Sequence, residues 1–271
     1  MGHTAKPPNA ETTLAAPPDP GIVDWQTVRT IGGGLLFFGG LIIVWDVWVR
    51  WGEVPVFIMP TPGAVWSTLV TEWGQLSDAL LYTVRSAVLG LIVATVLALS
   101  LASLFVASET VTRAVLPLVI VIRTAPVLAI APILIMNFGR GLTTSIIVVV
   151  IVSFFPIMVN AMRGLRATRR NALELMHVLG ANGVTTFLKV RFPFALPYIF
   201  TGLRASAASA FLSAMLAEWL SGAPGLGWLI LDAAAFVKLD LMWSAVFVSM
   251  AMAMTVFFIT AALEKRFTQW A

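Results

Sequence analysis

Between Ser86 and Ser108 the chain runs 23 residues without one charged side chain, and the segments Leu142–Met162 and Leu241–Leu263 are likewise uncharged. About 20 consecutive apolar residues wound as a helix cross the roughly 30 Å hydrocarbon core of a bilayer. In that medium every backbone N–H and C=O needs an internal partner, so a spanning segment is either a helix or part of a closed barrel. At this length the runs are read as helices, and the chain as all-α. Three further runs carry one or two ionisable residues each. Ile31–Val49 contains Asp46, Ala114–Met136 contains Arg123, and Phe194–Leu220 contains Arg204 and Glu218. Six crossings are therefore expected. Of 271 residues, 59% are hydrophobic and 11% charged, against about 25% charged in soluble domains. That balance excludes a soluble globule.

The connections set the orientation. With the N-terminus inside, cytoplasmic segments hold Lys6, Arg29, Arg113, Arg163, Arg166, Arg169, Arg170, Lys189, Arg191, Lys265 and Arg266. The outer segments hold Arg50, Arg140 and Lys238, with Arg85 at the outer edge of the second span. The bias of basic residues toward the cytoplasm places both termini there. The basic residues thus follow the membrane, and no nucleic-acid partner is read from the net charge of +4. Residues 1–29 are polar and Pro-rich, and are expected to be a disordered cytoplasmic tail, not a secretory signal. Residues 30–271 form the membrane domain.

One cytoplasmic connection differs from the rest. Residues 163–193 are long, basic and amphipathic. Ala172, Leu173, Leu175, Met176, Val178 and Leu179 recur at helical spacing, Gly180, Asn182 and Gly183 interrupt, and Val184, Phe187, Leu188 and Val190 begin a second short helix that Pro193 is expected to end. Such a helix–turn–helix either lies on the lipid headgroups or docks a soluble partner. On the outer side, Pro62 is expected to start a short helix over Ala64–Trp73. The outer stretch 221–240, with Gly222, Pro224, Gly225 and Gly227, reads as a Gly/Pro-rich loop. No internal repeat is visible, which argues against carriers built from duplicated halves.

Ionisable residues inside spans mark a site or a partner. A mid-span Arg costs about 2.5–3.5 kcal/mol on insertion scales. Arg123 therefore either lines an aqueous path that favours anions or snorkels and pairs with carbonyls. Pro126 and Pro132 break the same span and give it a place to bend. Glu218 is either near the pathway and outer gate or paired with a cation at the membrane edge. Arg204 is read as snorkelling, Asp46 as interfacial, and Met250, Met252 and Met254 as packing residues.

The segment Glu174-Leu-Met-His-Val-Leu-Gly180-Ala181, continuing to Val190-Arg-Phe-Pro193, resembles the Glu-Ala-Ala signature of binding-protein-dependent ABC importer permeases. Here Leu175-Met176 replace Ala-Ala, and Phe192 stands for the Leu before Pro. Further segments are similar in the same order. They are Phe57-Ile-Met-Pro-Thr-Pro62, Arg123-Thr-Ala-Pro126 through Pro132, Phe138-Gly-Arg-Gly141, Phe154-Phe-Pro156 with Asn160, Leu196-Pro-Tyr through Arg204, and Ala217-Glu218 followed by Gly225-Leu-Gly227. The resemblance falls closest to the alkanesulfonate, taurine and nitrate subgroup, with relatives for thiamine-pyrimidine precursors, riboflavin and bicarbonate. It implies a type I importer permease fold in a cell (inner or plasma) membrane. Two permease copies would pair over two ATPase subunits, which bind the ATP and Mg. An extracytoplasmic solute-binding protein would dock near 50–62 and 221–240. It further implies an ATPase-coupling site at Arg169, Arg170, Glu174, Gly180, Ala181 and Pro193. The translocation pathway it implies involves Arg123, Pro126, Asn137, Asn160 and Glu218. Glu174 would cap or salt-bridge within the loop, or stay solvated.

Other classes fit less well. There is no Cys, and the two His, His3 and His177, lie outside the apolar spans. A thiolate metal site and an intramembrane Ser–His dyad are thereby excluded. No GxxxxGK[ST] phosphate loop occurs, so the chain is not expected to be an enzyme or to bind a cofactor of its own. An ion-coupled carrier would need acidic residues deep in its spans, and these are nearly absent.

Overall fold

The computed structural model describes residues 25–55, 58–124 and 126–268, and these are helical without strands. Residues 1–24 of the expected tail lie outside the described residues. The remainder of that tail is already helical: α1 covers Trp25–Trp51, and within it Asp46 pairs with Arg50 at 2.8 Å. Next comes α2, Pro62–Thr71, in the position expected from Pro62. The Thr61 side chain caps it by accepting from the Ala64 N–H at 3.3 Å.

Three long helices make the core: α3 (Trp73–Ala107), α6 (Leu142–Arg166) and α9 (Phe192–Ser221). Their contact follows from small residues at helical spacing. On α3 the buried stripe reads Ala79, Thr83, Ser86, Ala87, Gly90, Ala94, Ala98 and Ala102. On α9 it includes Ala195, Gly202, Ser206, Ala207, Ala210, Ala214 and Ala217. Lipid tails are as apolar as Leu, so close backbone approach, not hydrophobicity, holds such helices together. A Cβ on Gly90 would collide with Val149 of α6. Large apolar side chains instead face outward: Ile92, Val96, Leu104, Leu212, Met254 and Phe258 are all exposed, as a lipid-facing surface requires.

Four helical stretches are long and apolar enough to cross a membrane among the described residues: Trp73–Ala107, Leu142–Arg166, Gly183–Ser221 and Leu239–Glu264. The last belongs to α11, Leu239–Thr268. The expected third span, Ala114–Met136, is not one straight crossing. It is split into α4 (Glu109–Thr124) and α5 (Val127–Phe138), bent by 100°. Pro126 is the cause. It has no N–H to continue α4, its backbone is extended (φ −69°, ψ 113°), and its carbonyl accepts the first N–H groups of α5, from Ala129 at 2.9 Å and Ile130 at 3.3 Å. Pro132, expected to break the span as well, sits within α5. Among the described residues, then, there are four helices long enough to cross and one bent pair, and α1 covers the first expected span.

Two expectations for the connections change. Pro193 does not end the second cytoplasmic helix. After α7 (Arg170–Val178), α8 (Gly183–Thr186) runs through a π-helical stretch, Phe187–Arg191, directly into α9. Pro193 follows directly on the π stretch, and the widened turn there accommodates a residue with no N–H to donate. The result is one 39-residue rod, Gly183–Ser221. The outer stretch 221–240 is also not a plain loop. It holds α10, Leu226–Ala235, which buries Leu226, Gly227, Leu229 and Ala233.

Candidate functional site

The segment expected to couple to an ATPase is built from local rules. Arg169 precedes α7 with an extended ψ of 133°, and its carbonyl accepts from Ala172 at 3.1 Å. Arg170 donates to Glu174 at 2.9 Å across one turn, so Glu174 does salt-bridge within the loop. Both side chains are exposed, so the pair contributes only about 0.3–0.5 kcal/mol. The helix ends on Gly180 at φ +68°. There the Gly180 N–H donates to the His177 carbonyl and the Ala181 N–H to the Met176 carbonyl, both at 3.0 Å. That pair of reversed bonds closes a helix on a left-handed residue, which glycine adopts without penalty. Asn182 then caps α8 by accepting from the Thr185 N–H at 2.8 Å.

No residue of α7 is buried. Leu175, Val178, Leu179, Val184 and Leu188 are all exposed, Val178 at 83%. A groove of about 840 Å³, lined in part by Ser103, Leu173, His177, Ala181 and Phe187, lies between the end of α3 and this segment. The helix α7 thus carries exposed Leu175 and Val178 beside half-buried Leu173 and Met176, and joins the rod Gly183–Ser221 through a short turn. Pro193 stands exposed in the first turn of α9.

The five residues expected along a pathway do not form one cluster. Arg123 is at the end of α4, exposed, with its guanidinium 4.2 Å from the centroid of the Phe155 ring on α6. That contact is a cation–π interaction; Phe155 lies in the Phe154-Phe-Pro156 segment, but nothing in the sequence pairs it with Arg123. Pro126 is the bend. Asn137 lies near the far end of α5 and donates to Ile133 at 2.8 Å. Asn160 on α6 donates to the Pro156 carbonyl at 2.8 Å. Arg204 does not snorkel freely. It bonds Glu264 of α11 at 2.7 Å and lies 5.0 Å from the Phe257 ring.

Glu218 is fully buried within the single chain, so it lines no surface in this structure. Its partners are not cations. Thr83 donates to Oε2 at 2.9 Å, Ser86 to Oε1 at 3.2 Å, and the Gly227 N–H to Oε2 at 3.1 Å. Sequence reasoning missed Thr83 and Ser86. Their three-residue spacing, which puts both on one face of α3, was the available signal.

A helical bundle with four helices long and apolar enough to cross a membrane, a bent pair and a small-residue core defines a multi-pass membrane protein. Residues 86–269 match the family described as the binding-protein-dependent transport system inner membrane component. The chain belongs to that family: it is the transmembrane permease subunit of an ABC importer, and ATP hydrolysis is the work of a separate subunit. The chain is 32% identical to a probable ABC transporter permease protein of Haemophilus influenzae, over 86% of this chain and 95% of that one. It is 35% identical to the formylaminopyrimidine transport permease protein ThiX of Halalkalibacterium halodurans, over 71% and 77%. It is 27% identical to the putative aliphatic sulfonates transport permease protein SsuC of Bacillus subtilis, over 88% and 87%. Among solved structures, a chain of the inward-facing MetNI methionine ABC transporter shares the fold. The TM-score is 0.65 at 16% identity, over 73% of this chain and 99% of that one. Membership supplies ATPase and binding-protein partners in general terms and a multi-pass membrane location. The carrier and intramembrane-enzyme readings fall away with it.

Proposed function

We propose that this chain forms half of the translocation pathway for a small anionic solute, such as an alkanesulfonate, taurine, nitrate or bicarbonate. The solute is delivered by an extracytoplasmic binding protein to the outer segments near 50–62 and 221–240. Two identical copies pair, and two ATPase subunits carrying ATP and Mg grip the segment 163–193 of each copy. Both termini are cytoplasmic in an inner or plasma membrane. The permease domain takes in the whole of α1, from Trp25.

The observation that carries this reading is α7. Its Leu175 and Val178 are exposed although nothing in the chain requires it, and burying two such side chains in a partner's cleft contributes roughly 3 kcal/mol or more. Arg169 and Arg170 stand beside that face to meet acidic groups at the rim of the cleft. Glu174 steadies the first turn, Gly180 and Ala181 set the turn that returns the chain, and Pro193 marks where the rod enters the membrane. Along the pathway, Arg123 supplies a positive charge that favours anions, Pro126 supplies the bend, and Asn137 and Asn160 supply amides. The reading is tested by co-purifying Glu174→Lys and Gly180→Val permeases with the ATPase and measuring ATP-driven uptake in vesicles. Insertion is expected to persist and uptake to fall. Uptake equal to wild type in both variants would discard the coupling role.

A second cargo reading rests on the ThiX relative, which is named for a formylaminopyrimidine. Under it, this importer carries a vitamin or pyrimidine precursor. Ligand-induced thermal stabilisation of the cognate binding protein, measured with taurine, nitrate, riboflavin and a formylaminopyrimidine, separates the two.

A further inference from the structure

The helix α10 begins in an unusual way. The first N–H groups of any helix lack intrahelical acceptors, and a Ser, Thr, Asp or Asn just before the helix ordinarily supplies one. Here that position is Gly225, which has no side chain. The acceptors come from two other helices. The Leu226 N–H donates to the Thr83 hydroxyl of α3 at 2.9 Å, and the Gly227 N–H donates to the Glu218 carboxyl of α9 at 3.1 Å. A carboxylate at a helix N-terminus is also favoured by the helix dipole. Space is shaped around the arrangement: a Cβ on Gly225 would run into the Glu218 carboxyl, and one on Gly227 into the Met215 backbone of α9.

Glu218 is three residues from the outer end of the rod Gly183–Ser221, whose other end carries the coupling turn. At 1.5 Å per residue the rod is roughly 58 Å long, enough to cross the bilayer. We propose that Glu218 is a positioning residue that latches α10 to this rod, so that the outer helix moves as one body with the segment gripped by the ATPase. The outer stretch 221–238 is then the output end of the coupling lever. This rests on the coupling role proposed above for 163–193.

The absence of Cys makes the test direct. Cysteines placed at Leu212 on α9 and Phe236 just beyond α10, both exposed, take spin labels in the permease assembled with its ATPase and binding protein. Their distance distribution is measured without nucleotide and with a non-hydrolysable ATP analogue. In the otherwise wild-type chain it should be narrow and identical in both states. In Glu218→Ala it should broaden and depend on nucleotide, while uptake falls about tenfold and ATP hydrolysis stays within about twofold. Glu218→Gln, which retains an acceptor for the Gly227 N–H, should restore both the narrow distribution and the uptake. A narrow, nucleotide-independent distribution in Glu218→Ala with uptake near wild type overturns the latch. Where Glu218→Ala fails to assemble, Thr83→Val removes the Leu226 acceptor and the hydroxyl that donates to Glu218, and leaves Glu218 itself as the acceptor for the Gly227 N–H. It must broaden the distribution, and a narrow one counts against the proposal. Gly180→Val is run in parallel. If it is uncoupled while Glu218→Ala behaves normally, only the latch fails. If Gly180→Val transports like wild type, the coupling reading itself fails.

Discussion

The two short helices at opposite ends of the Gly183–Ser221 rod make an instructive pair. Both α7 and α10 close with the same reversed bonds. In α10 the Val237 N–H donates to Ala234 at 3.1 Å and the Lys238 N–H to Ala233 at 2.8 Å, as Gly180 and Ala181 do in α7. The residue at the left-handed position differs: Gly180 at φ +68°, Val237 at φ +58°. A β-branched side chain is a poor fit there, and α10 tolerates it because its Leu226 and Leu229 are buried and its N-terminus is capped from two neighbours. In α7 nothing is buried, so its geometry depends on local bonds alone and the left-handed residue is the one that adopts it freely. The helix α10 is held by its own chain. The helix α7 is the one proposed to be held by another.

That contrast can be broken from either end. Replacing Leu175 and Val178 together by Asp should weaken ATPase co-purification about a hundredfold, two apolar anchors at roughly 1.5 kcal/mol each. The thermal stability of the isolated permease in detergent should not change, because both side chains are exposed. Gly227→Ala should do the reverse. It forces a methyl against the Met215 backbone and should destabilise the isolated permease by about 2–3 kcal/mol, visible as a lower melting temperature. Arg123→Ala touches neither end. Assembly and melting should persist while uptake of an anionic solute drops about fivefold; unchanged uptake of a verified anion would leave Arg123 with only its contact to Phe155. Val237→Gly should raise stability by only about 0.5 kcal/mol, since relief of a left-handed Val is offset by the greater freedom of Gly in the unfolded chain.

The sequence made some of this plain and hid the rest for physical reasons. Uncharged stretches such as Ser86–Ser108 announce themselves because a bilayer imposes length and apolarity on every spanning helix. Gly180 was legible because its turn is local, closed by residues at most five positions away. The bend at Pro126 was foreseen as a weak point, but the chain on either side is apolar in the same way, so its angle was not. The helix α10 was obscured by the Gly and Pro before it. Gly225 and Gly227 sit where Glu218 and Met215 crowd the start of the helix, a constraint set by parts of the chain that only the fold brings close. Thr83 and Glu218 are 135 positions apart, and no local pattern links them. The continuation through Pro193 was missed because a proline that would stop an α-helix in mid-course is accommodated directly after a π stretch.

The central claim is that α7 is covered by the ATPase in the working assembly. A single cysteine at Val178, in a chain that otherwise has none, reports on it through its rate of labelling by a membrane-impermeant maleimide. Labelling from the cytoplasmic side should be fast in the permease alone and strongly suppressed in the assembled, transport-competent complex. Equal labelling in both, or labelling from the outer side, would contradict the account.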